Sequence, residues 1–193
     1  MPTDTHQRSW AATPQNDTEP PARRELSREV ILDAAEALID QAGDGALTLR
    51  RLGAELGVDP TAPYRHFRNK DELLLALGDR LLGEAIASGV RDLSPDADWR
   101  ETFRSAAHAL RGTLVRHPRL ATLISVRVTQ GEHEARGIER GLAALAGTGL
   151  SEPEIVGFQR AFADTVLAWC AFSASYIALP AEAKARDEAA WAT

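Results

Sequence analysis

Residues 48–74 read TLRRLGAELGVDPTAPYRHFRNKDELL, and their punctuation decides the fold. Thr48 is an N-cap for a short helix that turns Leu49, Leu52 and Leu56 inward and ends at Gly57. A second short helix is expected from Asp59-Pro60 to about Phe67, after the tight turn Gly57-Val58. Asn69 with Glu72 three residues on is a capping box opening a long helix to about Ser88. Two short helices across so tight a turn have the dimensions of a helix-turn-helix, whose second helix enters the DNA major groove. Phe67 then faces the first helix, while Thr61, Tyr64 and Arg65 face outward with groups suited to bases and phosphates. Spacing alone leaves a plain helical hairpin equally open.

Outward from this block the periodicity is helical in both directions. Val30, Ile31, Ala34, Ala35, Leu38 and Ile39 predict an amphipathic helix over 27–42, capped by Ser27 and ended by Gly43. Downstream, Asp98 with Glu101 opens a helix that stops at His117-Pro118, because a residue before proline is pushed out of the helical region. His117 suits such a C-terminus, where a cation is favoured. Further helices are expected at about 118–127, 133–146, 152–179 and 181–191, with Ser151 and Glu154 capping the longest. No strand-length stretch alternates with period two, so the expected fold is all-α: a three-helix head at 23–72 and a larger bundle at 73–193. Residues 1–22 are polar and proline-rich, a disordered arm in which Trp10 is an exposed aromatic.

Composition narrows the function. The single cysteine, Cys170, permits neither an intrachain disulfide nor a cysteine-rich zinc site, and no basic-then-apolar leader opens the chain, which fits a cytoplasmic protein. Net charge is −6, so attraction to nucleic acid must be local, and Arg65, His66, Arg68 and Lys70 supply it within six residues. No catalytic constellation, phosphate loop or dinucleotide fingerprint is present. His108, His117 and His133 are scattered, and His133-Glu134 lacks the second histidine of a zinc-protease helix. Neither an enzyme nor a metal or cofactor protein is expected.

The run Leu49-Arg50-Arg51-Leu52-Gly53-Ala54-Glu55-Leu56-Gly57-Val58, with Ala62-Pro63-Tyr64-Arg65-His66-Phe67 and Lys70 three residues later, resembles the tetracycline-repressor (TetR) family of transcription regulators. The resemblance implies that Thr48 and Arg50 contact phosphates or base edges, and that Pro60, Thr61 and Ala62 face the groove floor beside Arg65. It implies that Tyr64, His66 and Lys70 meet backbone phosphates. Pro63 departs from the family, which more often has leucine there, and this restricts Ala62 and distorts the entry turn. The stretches 98–120, 141–145 and 149–151 are similar to a tetracycline-repressor-like C-terminal domain. Where that domain places drug- and metal-contacting polar groups, this chain has Ile86, Ala106 and Ile124, which cannot coordinate magnesium.

The helix at 152–179 is apolar on two stripes. Ile155, Phe158, Phe162, Thr165, Trp169, Phe172 and Tyr176 form one, and Val156, Ala163, Val166, Cys170 and Ile177 the other. Such a helix must be covered on both sides. Asp164, Ser173, Ser175 and Pro180 argue against a membrane span, so the expectation is core burial plus a homodimer interface at Cys170, Phe172, Tyr176 and Ile177. A small-molecule pocket is expected at Phe103, Leu110, Phe158, Phe162, Asp164 and Trp169. The expected function is a repressor released from a palindromic double-stranded DNA operator by a small-molecule effector. The alternative is a helical ligand-binding or scaffold protein without operator binding.

Overall fold

The computed structural model describes residues 26–43, 45, 47–91, 93–94, 96–124 and 128–191. The expected arm at 1–22, with Trp10, lies outside them. Among the described residues there is no strand, and the helices are α1 Arg28–Ala42, α2 Leu49–Glu55, α3 Lys70–Arg91, α4 Trp99–Arg116, α5 Pro118–Ile124, α6 Glu132–Leu145, α7 Glu152–Ile177 and α8 Ala181–Trp191.

The helix starts follow the side-chain caps. Ser27 Oγ accepts from the Val30 amide at 3.2 Å, Thr48 Oγ1 from Arg51 at 3.0 Å, and Asp98 Oδ1 from Glu101 at 2.9 Å. At α3 the box is reciprocal: Asn69 Oδ1 accepts from the Glu72 amide, and Glu72 Oε2 from the Arg68 amide, both at 2.8 Å. At α7, Glu154 Oε2 accepts from the Ser151 amide and hydroxyl at 2.8 and 2.7 Å, and these bonds hold the Glu154 carboxyl below its ordinary pKa.

One expected helix is much reduced. Instead of a helix over Asp59–Phe67 there is a single 3₁₀ turn, Ala62–Arg65. Pro63 has no N–H to donate, so the bond back to Asp59 is missing, and the first i to i−4 bond after it is that of the Phe67 amide to Pro63 O at 3.0 Å. The Ala62, Tyr64 and His66 amides reach only three residues back, to Asp59, Thr61 and Pro63, at 2.9–3.1 Å. In the other direction α3 outruns its expected end at Ser88 and continues to Arg91. The expected helix at 118–127 is described as far as Ile124, and 125–127 lie outside the described residues.

Most of the buried apolar residues form one cluster that spans both halves of the chain. Ile31, Ile39, Leu52, Phe67 and Leu73 from the N-terminal elements join Leu81, Leu114, Leu120, Cys170 and Ala174. Helix α3 is the spine of this arrangement, packing against α4 and α6 and, through Arg80 among others, against α1. Its Asp79 carboxylate accepts from the Glu134 amide at 2.9 Å and the His133 amide at 3.3 Å, supplying α6 with the cap that Gly131 lacks. No single described helix is long and apolar enough to cross a membrane.

Candidate nucleic-acid interface

Helix α2 and the 3₁₀ turn are held together by backbone. The Val58 amide donates to Gly53 O at 3.0 Å, Gly57 takes φ +65° in the turn, and Gly53 lets the α2 backbone approach Asp59-Pro60. Pro63 and Phe67 are buried and fix the inner side of the turn. The outer side presents Thr61, Tyr64 and Arg65, all exposed, with Tyr64 at 53%. Ala62 and His66 are half-buried between these faces.

Asp59 organises the entrance to the turn. The Thr61 amide and hydroxyl both donate to Asp59 Oδ1, at 2.8 and 2.5 Å. These bonds, the hydroxyl's first, hold the Asp59 carboxyl below its ordinary pKa, with a smaller contribution from the Arg65 charge. Thr61 therefore keeps hydroxyl lone pairs but not its proton for a nucleic-acid partner. The Thr48 hydroxyl oxygen accepts from the Arg51 amide and so caps α2, while Pro60 and Arg50 are exposed and Lys70 stands at the first residue of α3.

Arg28 was not anticipated from the sequence. Its Nη1 donates to His66 O at 3.0 Å, and its guanidinium lies 4.1 Å from the Phe67 ring centroid, tying α1 to the end of the turn. No periodicity signals such a contact across 38 residues. Gly53, by contrast, had a legible sign, because a glycine inside a seven-residue helix is a poor helix former retained for a close approach.

The expected pocket residues are only partly brought together. Phe103, buried, meets Phe162 at 4.6 Å and Phe158 at 5.3 Å in edge-to-face pairs, and Trp99 meets Phe158 at 5.6 Å. Leu110 is half-buried against the main core. Two assignments are corrected. Trp169 is 61% exposed and tilts against Phe172 on the outside of α7, because its position faces away from α4. Asp164 is exposed and accepts from Arg160 Nε at 2.8 Å on its own helix, so it does not point into the aromatic nest.

The expected dimer residues also divide. Phe172 is 65% exposed and Ile177 39%. Cys170 is fully buried within the chain's own core, so its assignment to a partner surface is corrected: it packs inward, although Val156 and Ile177 of the same stripe are exposed. Tyr176 is half-buried, with its hydroxyl directed at Glu188 of α8 at 3.4 Å.

Comparison with known proteins agrees with this geometry. Residues 31–77 match the bacterial regulatory proteins of the tetR family, and residues 93–192 match the tetracyclin repressor-like C-terminal domain. The HTH-type transcriptional repressor Rv1353c of Mycobacterium tuberculosis is 35% identical over 133 residues, 67% of this chain and 50% of that protein. The chain thus spans about half the length of the curated relatives of this kind. The crystal structure of BioQ from Mycobacterium smegmatis superposes with a TM-score of 0.69 at 32% identity, over 79% of this chain and 83% of that one. BioQ with its double-stranded DNA operator gives 0.67 at 31% identity, over 78% and 89%. With both halves of the chain matched and the helix order shared, this protein belongs to the TetR family of bacterial regulatory proteins.

Proposed function

We propose that the chain is a ligand-responsive, DNA-binding transcriptional repressor that acts as a homodimer on a palindromic operator. The observation that carries this reading is the exposed edge Thr61-Tyr64-Arg65, braced from behind by Pro63 and Phe67, in a fold shared with BioQ in complex with its operator. Arg50, Arg65, Arg68 and Lys70 supply phosphate-directed charge in a chain whose net charge is −6, so the footprint is confined to this end. The head is residues 23–72 and the effector-binding and dimerising body is 73–193. Such a protein works in the cytoplasm, where the chromosome is, and needs no enzymatic step.

The body supports an effector site and a dimer on different faces of α7. The aromatic cluster of buried Phe103, half-buried Phe162 and exposed Phe158 suits a lipophilic or aromatic ligand. The outward pair Trp169 and Phe172 suits a second copy, since two large exposed aromatics on one helix mark an interface. Because α3 begins in the head and ends in the body, a ligand that shifts α3 changes the separation of the two reading edges. Selection of binding sites from random duplexes tests the core of this reading. A palindromic consensus is the expected product, and enrichment of no sequence at low salt would overturn it.

A further inference from the structure

Glu36 and Asp40 lie one helical turn apart on α1, and the α4 to α5 corner at Pro118 brings the end of α4 against them. His117, the residue that closes α4, sits between the two carboxylates. Its Nδ1 is 2.9 Å from Asp40 Oδ2 and 3.3 Å from Glu36 Oε1, and one donor atom from each of the three residues lies within 4.8 Å of the others. The side chains are 17%, 34% and 19% exposed for Glu36, Asp40 and His117, so the cluster is half-buried and still reached by water.

The groups around the cluster orient it without saturating it. Arg80 of α3 engages Glu36 through Oε2, leaving Oε1 directed at His117. Arg119 donates to the backbone oxygen of Asp40 at 2.7 Å, leaving its carboxylate free of that guanidinium. Asp40 Oδ1 is buried and has no hydrogen-bond partner among the described residues, a costly state for a carboxylate oxygen. Glu29 and Asp33 also face Arg80, so four carboxylates stand against two guanidiniums. The excess of two negative charges matches a divalent cation.

We propose that Glu36, Asp40 and His117 form a binding site for a divalent transition-metal ion of the zinc type. One imidazole nitrogen with two carboxylate oxygens is a borderline donor set that favours zinc, cobalt or nickel over magnesium or calcium. An ion at about 2.0–2.2 Å from each donor sits on the open side of the cluster, with water completing its coordination. Arg80 holds the Glu36 carboxylate and Arg119 anchors the Asp40 backbone, the kind of support that metal sites require of their surroundings. The ion ties α1 of the head to the α4–α5 corner of the body, across the joint that α3 spans.

Binding is measured without DNA, so its outcome is independent of the repressor reading. The chelator-stripped full chain, free of a histidine tag, is titrated near neutral pH with cobalt(II) by visible absorption and with zinc(II) by calorimetry. One ion per chain is expected, with a rise in melting temperature that a chelator reverses. His117→Asn and Asp40→Asn should each weaken binding by at least about tenfold, while His108→Asn leaves it unchanged. If either variant folds poorly by circular dichroism, Glu36→Gln and the zinc-induced shift of the His117 imidazole nitrogens in the unmodified chain give the same readout. Equal binding by the unmodified chain and His117→Asn, or no ion bound at about 100 µM metal, would overturn the proposal and leave an ion-pair cluster.

Discussion

The Cα of Pro60 occupies the space that a side chain on residue 53 would need: a Cβ placed on Gly53 comes within 2.9 Å of it, and within 3.1 Å of the Asp59 carbonyl oxygen. Alanine at this position gains about 1 kcal/mol of helix propensity. The clash is with backbone, which cannot rotate away, and overpacking costs about 1–3 kcal/mol. Gly53→Ala is therefore expected to destabilise the head and misplace the 3₁₀ turn. Thermal melting with operator binding by anisotropy checks this, and unchanged affinity would show that the turn tolerates the shift.

Reading and clamping should separate by salt dependence. Lys70→Ala is expected to weaken binding to every duplex alike and to lower the slope of log K against log salt by about 0.9 for each phosphate no longer neutralised. Arg65→Ala and Thr61→Ala should instead change which duplex is preferred, by about 1–3 kcal/mol for each base interaction removed. Binding measured at two salt concentrations, on operator and random DNA, distinguishes the two patterns.

Asp59 should report the state of the turn as pH changes. Its folded pKa is lowered, so the stabilisation from its bonds to Thr61 is complete above the ordinary aspartate pKa. That stabilisation is lost as pH falls through the lower folded value. In an NMR titration the Asp59 carboxyl should show a midpoint below that of an unperturbed aspartate, and Thr61→Ala should move it upward. A midpoint insensitive to Thr61 would remove the hydrogen bonds as its cause.

The two sides of α7 should respond differently to one added charge. Trp169→Glu or Phe172→Glu is expected to convert a dimer, at twice the 20.9 kDa chain mass, into a folded monomer, because both residues are exposed in the single chain. Cys170→Glu should instead prevent folding, since its position is fully buried and offers no partner for a charge. Light scattering together with circular dichroism reads both outcomes.

Asp79 caps a helix to which it does not belong. Asp79→Ala removes the carboxylate that accepts from the Glu134 and His133 amides, at a cost of about 1 kcal/mol and a fall of about 2–4 °C in melting temperature. Hydrogen exchange should accelerate first in the opening turn of α6. Uniform acceleration across the chain would assign Asp79 to global stability alone.

Local chemistry determined a great deal of this protein. Ser27, Thr48, Asn69, Asp98 and Ser151 each open the helix that their side-chain oxygens foretell, because a cap bonds within three residues of itself. The block from Leu49 to Lys70 carried the family. Pro63, whose missing N–H removes one bond from this segment, was visible as well, though the resulting 3₁₀ turn depends on which amides remain to bond.

Contacts between distant residues were decided only by the tertiary structure. Both stripes of α7 are apolar, and hydrophobicity has no direction, so the sequence could not say that Cys170 turns inward while Trp169, its neighbour, turns outward. Packing against α4 and α5 made that choice. His117 meets Asp40 across 77 residues, and Arg28 meets His66 across 38. Such pairs carry no periodic signal, because the position of each partner is set by how whole helices pack and not by its neighbours in the chain.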